Sequence, residues 1–385
     1  MSRKLRFGMV GGGKDAFIGA IHRKAAFMDG QIELVCGVFS VEPEISMESG
    51  LEYFLPKERI YDSYRQMFEE EARLPEDERM DFVSIVTPNH VHFEPAKLAL
   101  ENGFDVVIEK PLAFSLDEAV ELEKIVKSTG KILALTHTYT GYPMVKEARH
   151  LVESGKLGNI RKIYVEYPQG WLATPLEHEG NKQASWRTDP DQSGMGGCVG
   201  DIGTHAANLA EYVSGLEITK LCADVNIKVP NRLLDDDCAA LLKFNNGASG
   251  VLMATQVAVG VENDLKLRVY GEKGGLEWKQ TEPNTLIFRP LDGPVQVIRT
   301  GTGYLSDVAT ANTRTPAGHP EGYIEAFANI YMEFVRAVRD RMSGEEKPVE
   351  EYDFPNVSDG VRGMAFVTNM IKSSKSETKW TEFKI

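Results

Sequence analysis

Three residues that are far apart in the chain could act together on an alcohol: Lys110, Asp201 and His205. Asp201 and His205 are four positions apart, so on a helix they share one face and can meet the same ligand. A neutral imidazole can take a hydroxyl proton while hydride leaves the same carbon, and an ammonium group can stabilise the developing alkoxide. The pattern therefore predicts oxidation of a secondary alcohol with a nicotinamide cofactor, with His205 as the base.

A histidine such as His205 can also be an ordinary buried residue whose ring nitrogens are satisfied by hydrogen bonds. Two features favour the chemical interpretation. A glycine-rich stretch from Gly194 to Gly203 leads up to the histidine, and an acidic residue stands one helical turn before it. Asp201 would then orient the imidazole or the hydroxyl groups of the substrate.

Lys110 follows a stretch that is typical of a buried strand in a parallel sheet. Val106, Val107 and Ile108 are β-branched, and Glu109-Lys110-Pro111 ends the apolar run. Open α/β sheets place their ligands at the carboxyl ends of such strands. A solvated strand end would explain the charges equally well in isolation, but we expect Glu109 and Lys110 to border the cofactor.

A glycine-rich turn near the N-terminus predicts where the dinucleotide binds. Leu5–Val10 indicates a strand, and Gly11 to Ala16 then fit the pattern G-x-G-x-x-A at the start of a helix. Gly11 would make the tight turn, Gly13 would let the backbone approach the pyrophosphate, and Ala16 would allow the helix to pack on the sheet. Three adjacent glycines can also form a simple flexible turn.

Two further stretches are predicted to border the cofactor. The second strand, Ile32–Phe39, ends in Phe39-Ser40 instead of the acidic residue that often binds the ribose hydroxyls. No lysine or arginine stands near Ser40 in the sequence, which favours NAD and leaves NADP open. The next strand, Asp81–Val86, leads into a polar loop that contains Thr87, Asn89 and His92.

Composition excludes several classes of function. The formal net charge of −14 argues against nucleic-acid and anionic-membrane partners, and no apolar segment is long enough to span a bilayer. The 4 cysteines are widely spaced and form no CxxC pair, so we expect reduced thiols, no zinc site and a cytoplasmic protein. We predict no bound metal.

The order of predicted elements indicates an α/β protein with two domains. Up to residue 137, strands alternate with helices, as in a doubly wound parallel sheet of the Rossmann type. One of these helices is predicted to begin at a capping box, Ser115-Leu116-Asp117-Glu118. After residue 137, alternating strands separated by predicted turns such as Asn245-Asn246-Gly247 and Glu272-Lys273-Gly274-Gly275 indicate an open, predominantly antiparallel sheet packed on helices. We predict a dinucleotide-binding domain at 1–137 and a substrate-binding, oligomerising α/β domain at 138–385, with a C-terminal segment that can pack back on the first.

Four stretches together resemble the glucose–fructose oxidoreductase/inositol dehydrogenase (Gfo/Idh/MocA) family. They are Val10-Gly11-Gly12-Gly13, Thr87-Pro88-Asn89-His90-Val91-His92, Glu109-Lys110-Pro111 and Asp201-x-x-x-His205. The resemblance implies this same two-domain fold, homodimers or homotetramers, and NAD(P)-dependent oxidoreduction of sugars or cyclitols. It also implies that Lys110, Asp201 and His205 are the catalytic positions. The missing acid after the second strand departs from the family pattern and leaves the choice between NAD and NADP open.

The resemblance leaves two alternatives to a net dehydrogenase. Some relatives retain NAD and cleave glycosides through transient oxidation, and a few only sense NAD or sugars. The intact Lys110, Asp201 and His205 argue against a sensor. For a small-molecule carbohydrate substrate, Trp186, Arg187 and His319 are further candidate contacts, since aromatic faces suit sugar C–H surfaces; a tryptophan such as Trp186 can equally be part of the core.

Overall fold

The computed structural model describes residues 3–14 and 16–385, so Asp15 of the predicted glycine-rich turn lies outside the described residues. The chain forms two compact units. The first contains the chain up to Thr138 together with Phe327–Val361, and the second contains Tyr139–Ala326 and Arg362–Ile385. Each unit is described separately below.

The first unit is built on a five-stranded parallel sheet with the strand order β2-β1-β3-β4-β5. Its strands are β1 (Leu5–Gly11), β2 (Ile32–Val38), β3 (Phe82–Val86), β4 (Asp105–Ile108) and β5 (Leu133–Leu135). Its first helices are α1 (Phe17–Phe27), α2 (Pro43–Glu52), α3 (Tyr64–Arg73), α4 (Phe93–Glu101) and α5 (Leu116–Thr129). All residues of β3 and β4 are buried, as expected for strands covered on both faces.

The second unit is built on a nine-stranded sheet with the order β13-β12-β11-β10-β6-β9-β8-β7-β14. Its strands are β6 (Ile160–Pro168), β7 (Ile218–Asn226), β8 (Asp237–Phe244), β9 (Ser249–Thr255), β10 (Lys266–Gly271), β11 (Gly274–Lys279), β12 (Thr285–Pro290), β13 (Gln296–Arg299) and β14 (Thr381–Glu382). Neighbouring strands are antiparallel except for the parallel pair β6 and β9.

The remaining helices follow in chain order. They are α6 (Pro143–Glu153), α7 (Lys182–Arg187), α8 (Pro190–Ser193), α9 (Thr204–Ser214), α10 (Asp307–Ala311), α11 (Tyr323–Ser343) and α12 (Val357–Ser374). A π-helical turn over Val199–Gly203 leads directly into α9. In the second unit, apolar residues of α6 and α9 share one buried cluster with the inward residues of the sheet.

The predicted fold class is confirmed: a doubly wound parallel sheet is followed by a predominantly antiparallel second sheet. The predicted capping box at the start of α5 is also present, because Ser115 Oγ accepts from Glu118 N at 3.2 Å and the Glu118 carboxylate accepts from Ser115 N at 3.3 Å. The interpretation of Glu272 to Gly275 wholly as a turn was wrong. Its two glycines already belong to β11, which pairs with β10 and β12.

Among the described residues, no helix is long and apolar enough to cross a membrane.

Candidate active site

The topology of the first sheet defines where a ligand can bind. β1 lies between β2 and β3, so the strand order reverses there, and the carboxyl ends of the flanking strands leave a crevice. The residues predicted to hold the cofactor follow β1, β2, β3 and β4 and therefore lie at this edge of the sheet. Gly11 ends β1, and Phe39, Thr87 and Glu109 each follow directly after a strand.

The glycine-rich turn is closely packed. Gly11 and Gly12 have φ values of 83° and 72°, which L-residues with a side chain rarely adopt. A Cβ on Gly19 of α1 would lie 2.3 Å from the Cα of Gly12, so the closest contact between helix and turn is made by these two glycines. Ala16 is the N-cap residue of α1 and is only half-buried. The sequence pattern indicated only Ala16 for this packing role, whereas Gly19 makes the close contact.

Gly13 has a different constraint from the one expected. Its N–H donates to the carbonyl of Phe39 at 3.2 Å, and a Cβ on Gly13 would lie 2.6 Å from that same oxygen. Residue 13 must therefore lack a side chain because the Phe39 carbonyl group, which follows β2, lies so close to it. The Phe39 ring is buried, while Ser40 is half-buried and its Oγ accepts from Glu42 N at 3.1 Å.

The glycine-rich turn itself contains a lysine, although none stands near Ser40 in the sequence. Lys14 is adjacent to Gly13, its N–H donates to Ser49 Oγ at 3.0 Å, and its ammonium lies 2.7 Å from the Glu48 carboxylate. The cation is thus paired with an acid on α2.

The loop after β3 is fixed by His92. Asn89 is buried in a short 3₁₀ turn, and His92 is fully buried. Its Nε2 lies 2.9 Å from the carbonyl of Thr87, and its Nδ1 lies 2.7 Å from the carbonyl of Pro111. Burial lowers the pKa of His92, although both carbonyl groups oppose that shift. The imidazole therefore links the loop after β3 to the loop that carries Lys110.

Glu109 is a buried carboxylate immediately before Lys110. Burial would raise its pKa, but hydrogen bonds from His22 and Thr136 outweigh that effect and leave the pKa below its usual range. Its Oε2 accepts from the backbone N–H of Lys110 at 3.1 Å. His137 is also buried, and its burial together with the nearby Lys110 lowers its pKa to about 3, so its ring is neutral at neutral pH.

In the second unit, the π-helical turn carries Asp201, and His205 is the second residue of α9. Asp235 holds the start of this segment. Its carboxylate accepts from the N–H groups of Gly197 and Val199, both at 2.7 Å, and its carbonyl accepts from Cys198 N at 2.8 Å. π-Helical turns occur frequently at functional sites. The two predicted residues are therefore part of one rigidly held segment.

Two side chains orient the Asp201 carboxylate, and nothing in the sequence indicated that both lie beside it. Nε2 of Gln256 donates to its Oδ2 at 2.8 Å, and Nε of Arg187 lies 3.4 Å from the same oxygen. The Arg187 guanidinium also lies 4.1 Å from the centroid of the half-buried Trp186 ring and 5.8 Å from that of Trp171. The carboxylate is thus held beside a cation and an amide donor.

The His205 side chain is 9% exposed and lies among tyrosines. Its ring centroid is 4.9 Å from that of Tyr139 and 6.3 Å from that of Tyr167. The two tyrosine hydroxyl groups share a hydrogen bond, and Asn263 donates to Tyr139 Oη at 3.4 Å. Burial raises the pKa of both tyrosines, so both stay protonated at neutral pH.

Comparison with known proteins identifies the family. Residues 5–137 match the model of the oxidoreductase family with an NAD-binding Rossmann fold, and residues 145–277 match the GFO/IDH/MocA C-terminal domain. The uncharacterized oxidoreductase YfiI of Bacillus subtilis is 32% identical over 100% of this chain and 98% of its own length. The chain belongs to the GFO/IDH/MocA oxidoreductase family. The first unit is accordingly an NAD-binding Rossmann domain.

Two other family members are similar to this chain. An inositol dehydrogenase homolog from Azotobacter vinelandii is 34% identical, covering 100% of this chain and 98% of its own. It superposes with a TM-score of 0.95 for its complex with NAD+ and 0.92 for its complex with NADH and myo-inositol. The levoglucosan dehydrogenase of Pseudarthrobacter phenanthrenivorans is 30% identical over 52% of this chain, and the match spans 56% of that enzyme.

The residues at the carboxyl edge of the first sheet fit the dinucleotide that the family implies. Gly11 and Gly12 present bare backbone in a conformation that a side chain would strain, at the start of a helix whose N-terminal N–H groups can meet phosphates. Across residues 3–14 and 16–385, no group of three His, Cys, Asp or Glu residues could hold a metal ion.

The structure places the predicted residues as follows. Asp201, His205, Arg187 and Trp186 all belong to the second unit, and Arg187 links Trp186 to Asp201 through its guanidinium. His319 is exposed in the loop before α11, where its Nδ1 lies 3.2 Å from the carbonyl of Pro316. No sequence motif indicated the residues around Asp201 and His205, which are Tyr139, Tyr167, Asp235, Gln256 and Asn263. Their types are unremarkable in the sequence, and only the fold assembles them.

Proposed function

We propose that this oxidoreductase is an NAD-dependent dehydrogenase that oxidises a secondary hydroxyl group of a sugar or cyclitol. The first unit binds the dinucleotide, and the second binds the carbohydrate. Bound NAD+ supplies the hydride acceptor for this reaction. The substrate class is supported by the relatives, since one is a levoglucosan dehydrogenase and another was crystallised with NADH and myo-inositol.

The observation that carries the proposal is the environment of His205. A base must be neutral before it can accept the hydroxyl proton, and both neighbouring tyrosines are kept protonated by burial. His205 is the one of these three groups whose ordinary pKa lies near neutral pH. The imidazole of His205 therefore takes the proton as the hydroxyl group is oxidised, and returns it in the reverse direction.

Asp201 and Lys110 assist this proton transfer. The Asp201 carboxylate is held by Gln256 and Arg187, so it can accept a hydrogen bond from a second hydroxyl group of the substrate and fix its orientation. The Lys110 ammonium stabilises the negative charge that develops on the oxidised oxygen. Trp186, Arg187 and His319 are proposed as further contacts to the carbohydrate.

Contacts to the dinucleotide are proposed for Gly11, Gly13 and Ala16, which follow β1, and for the residues that follow β2, β3 and β4. The latter are Phe39, Ser40, Thr87, Asn89, Glu109 and Lys110. Because the ring nitrogens of His92 face two carbonyl oxygens, this residue acts by fixing the loops and not by direct contact. NAD is favoured over NADP because Ser40 carries no charge and the nearby Lys14 is paired with Glu48.

The experiment is a screen of sugars, glycosides and inositols, including myo-inositol and levoglucosan, with NAD+ and separately with NADP+. A dehydrogenase forms one free NADH per molecule oxidised, with higher kcat/KM for NAD+ than for NADP+. Release of an aglycone without net NADH would instead identify a redox-neutral glycosidase that retains its NAD. Binding without turnover of any compound would identify a sensor.

We also propose that the protein is cytoplasmic and forms a homodimer or homotetramer through the face of the nine-stranded sheet that carries Leu241. Along β8, Cys238, Ala240 and Leu242 point into the core, whereas Leu241 on the opposite face is 45% exposed. Light scattering should give a mass of two or four chains. Leu241→Asp should dissociate the assembly, and a monomeric parent protein would contradict the proposal.

A further inference from the structure

The first unit contains a hydrogen-bonded network of five buried polar side chains, of which the proposed function uses only Glu109. It joins α1, β3, the loops after β4 and β5, and α11. Its members are Ser84, Tyr331, His22, Glu109 and Thr136. Ser84 Oγ lies 2.8 Å from Tyr331 Oη, which lies 2.7 Å from His22 Nδ1. His22 Nε2 lies 2.9 Å from Glu109 Oε1, and Thr136 Oγ1 lies 2.6 Å from the same Glu109 oxygen.

Every side chain of this network is at most 8% exposed, and three of them are fully buried. A carboxylate at such a depth is unfavourable unless hydrogen bonds replace its hydration. Glu109 receives hydrogen bonds from His22 and Thr136 at one oxygen and from the Lys110 N–H at the other. These partners allow it to remain charged.

His22 can donate to Glu109 in either of its protonation states. If the ring is neutral, Nε2–H donates to Glu109, while Tyr331 donates to Nδ1 and Ser84 donates to Tyr331. If the ring is charged, Nδ1–H donates to Tyr331 and the tyrosine donates to Ser84. The hydroxyl groups of Tyr331 and Ser84 can reverse their direction, so no member is left without a partner in either state.

The geometry points to His22 and Tyr331 as positioning residues for Lys110: they keep Glu109 ionised and oriented, and Glu109 in turn holds the Lys110 backbone. Neither residue touches a reacting atom. His22 lies on α1, the helix that follows the glycine-rich turn, so the same helix serves the dinucleotide and the lysine. The inference rests on the proposed function in so far as Lys110 takes part in the chemistry.

The alternative is that this hydrogen-bonded network only stabilises the fold. Two variants of network residues and one control variant separate these cases. Tyr331→Phe removes one hydroxyl group and keeps the ring, and His22→Leu removes the donor to Glu109. Tyr61→Phe is the matched control, because buried Tyr61 donates to the buried carboxylate of Glu71 at 3.0 Å in a separate cluster.

With a substrate found in the carbohydrate screen, Tyr331→Phe and His22→Leu should lose about 10- to 100-fold in kcat. Their affinity for NADH, measured by fluorescence titration, should stay within about twofold of the parent value. His22→Gln restores an N–H donor and should recover part of kcat. Tyr61→Phe should keep kcat near the parent value, even if its melting temperature falls as far as that of Tyr331→Phe.

Infrared spectroscopy tests the same inference without turnover. At neutral pH, His22→Leu should show the band of a protonated, buried carboxyl group that the parent protein lacks. The band should disappear when Glu109→Gln is added to the same variant, which assigns it to Glu109. If no carbohydrate is oxidised by the parent protein, the proposed function fails, while this spectrum still decides whether His22 keeps Glu109 ionised.

Two results would overturn the inference. One is a His22→Leu spectrum without a protonated carboxyl band at neutral pH. The other is a loss of kcat in Tyr331→Phe that is no larger than the loss in Tyr61→Phe.

Discussion

The ring of Tyr139 lies edge-on to the imidazole of His205, with 4.9 Å between the ring centroids and 85° between the ring planes. The Tyr139 hydroxyl group is hydrogen-bonded to that of Tyr167 and accepts from Asn263. Burial raises the pKa of Tyr139 despite these hydrogen bonds. The two tyrosines beside the histidine are therefore protonated and cannot act as bases at neutral pH.

The first prediction concerns the hydroxyl groups of Tyr139 and Tyr167. Tyr139→Phe and Tyr167→Phe should lower kcat by no more than about tenfold, because each removes only neutral hydrogen bonds. Both variants should keep the rise of kcat/KM with pH that the parent shows during oxidation. A variant that loses this rise would identify its tyrosine as the base in place of His205.

The second prediction concerns Lys110. Lys110→Met should be nearly inactive, with a loss of about 10²–10³ in kcat, because the developing alkoxide loses its cation. Affinity for NADH should change much less. Lys127→Met is the control, since Lys127 pairs with Glu123 on the surface of α5 and should keep parental kinetics. Equal activities of the two variants would remove Lys110 from the chemistry.

The third prediction concerns the glycine-rich turn. Gly13→Ala places a Cβ 2.6 Å from the Phe39 carbonyl oxygen, so the turn must shift and NADH binding should weaken by at least about tenfold in calorimetry. Gly303→Ala is the control, because nothing lies within 4 Å of a Cβ there. A Gly13→Ala protein with parental affinity would show that the turn does not hold the dinucleotide.

The fourth prediction concerns Asp235, which caps the segment that carries Asp201. Burial raises its pKa to about 6 from an ordinary value of 3.8, although the N–H groups of Val199 and Gly197 act in the opposite direction. The folded protein thus binds this proton more tightly than the unfolded chain. The corresponding stabilisation is complete below pH 3.8 and is lost as the pH rises through about 6.

Asp235→Asn has no proton to exchange at this position. The difference in unfolding free energy between parent and variant should therefore favour the parent more near pH 5 than near pH 8, by on the order of 1 kcal/mol. Urea unfolding at both pH values measures this difference. The exposed Asp292→Asn variant is the control, and a pH-independent difference for Asp235→Asn would contradict the prediction.

The sequence predicted those strands and helices whose residue pattern is contained within a few neighbouring positions. The apolar run of β4, the alternation along β6 and the capping box of α5 are all formed within a few residues, so pattern and structure agree. β11 was missed because its two glycines follow Glu272-Lys273 and look like a turn. There the pairing with β10 and β12 outweighs the weak strand propensity of glycine.

The candidate site was predictable only in part, for a related reason. Lys110, Asp201 and His205 stand in distinctive motifs, whereas Tyr139, Tyr167 and Gln256 are single residues in unremarkable stretches. Their relevance arises from long-range packing that brings them beside Asp201 and His205. His92 is an intermediate case, since its motif was noticed but its buried bonds to two carbonyl groups could not be inferred from spacing.

The most direct test of the account is the pH profile of kcat/KM for His205→Asn beside the parent, with NAD+ and the best substrate from the carbohydrate screen. Removal of one acid–base group lowers the rate by about 10²–10⁴. We predict a loss on that scale, retained NADH binding, and disappearance of the rise with pH that reports deprotonation of the base. If the variant keeps near-parental activity and the parental profile, His205 is a structural histidine and the proposed mechanism is wrong.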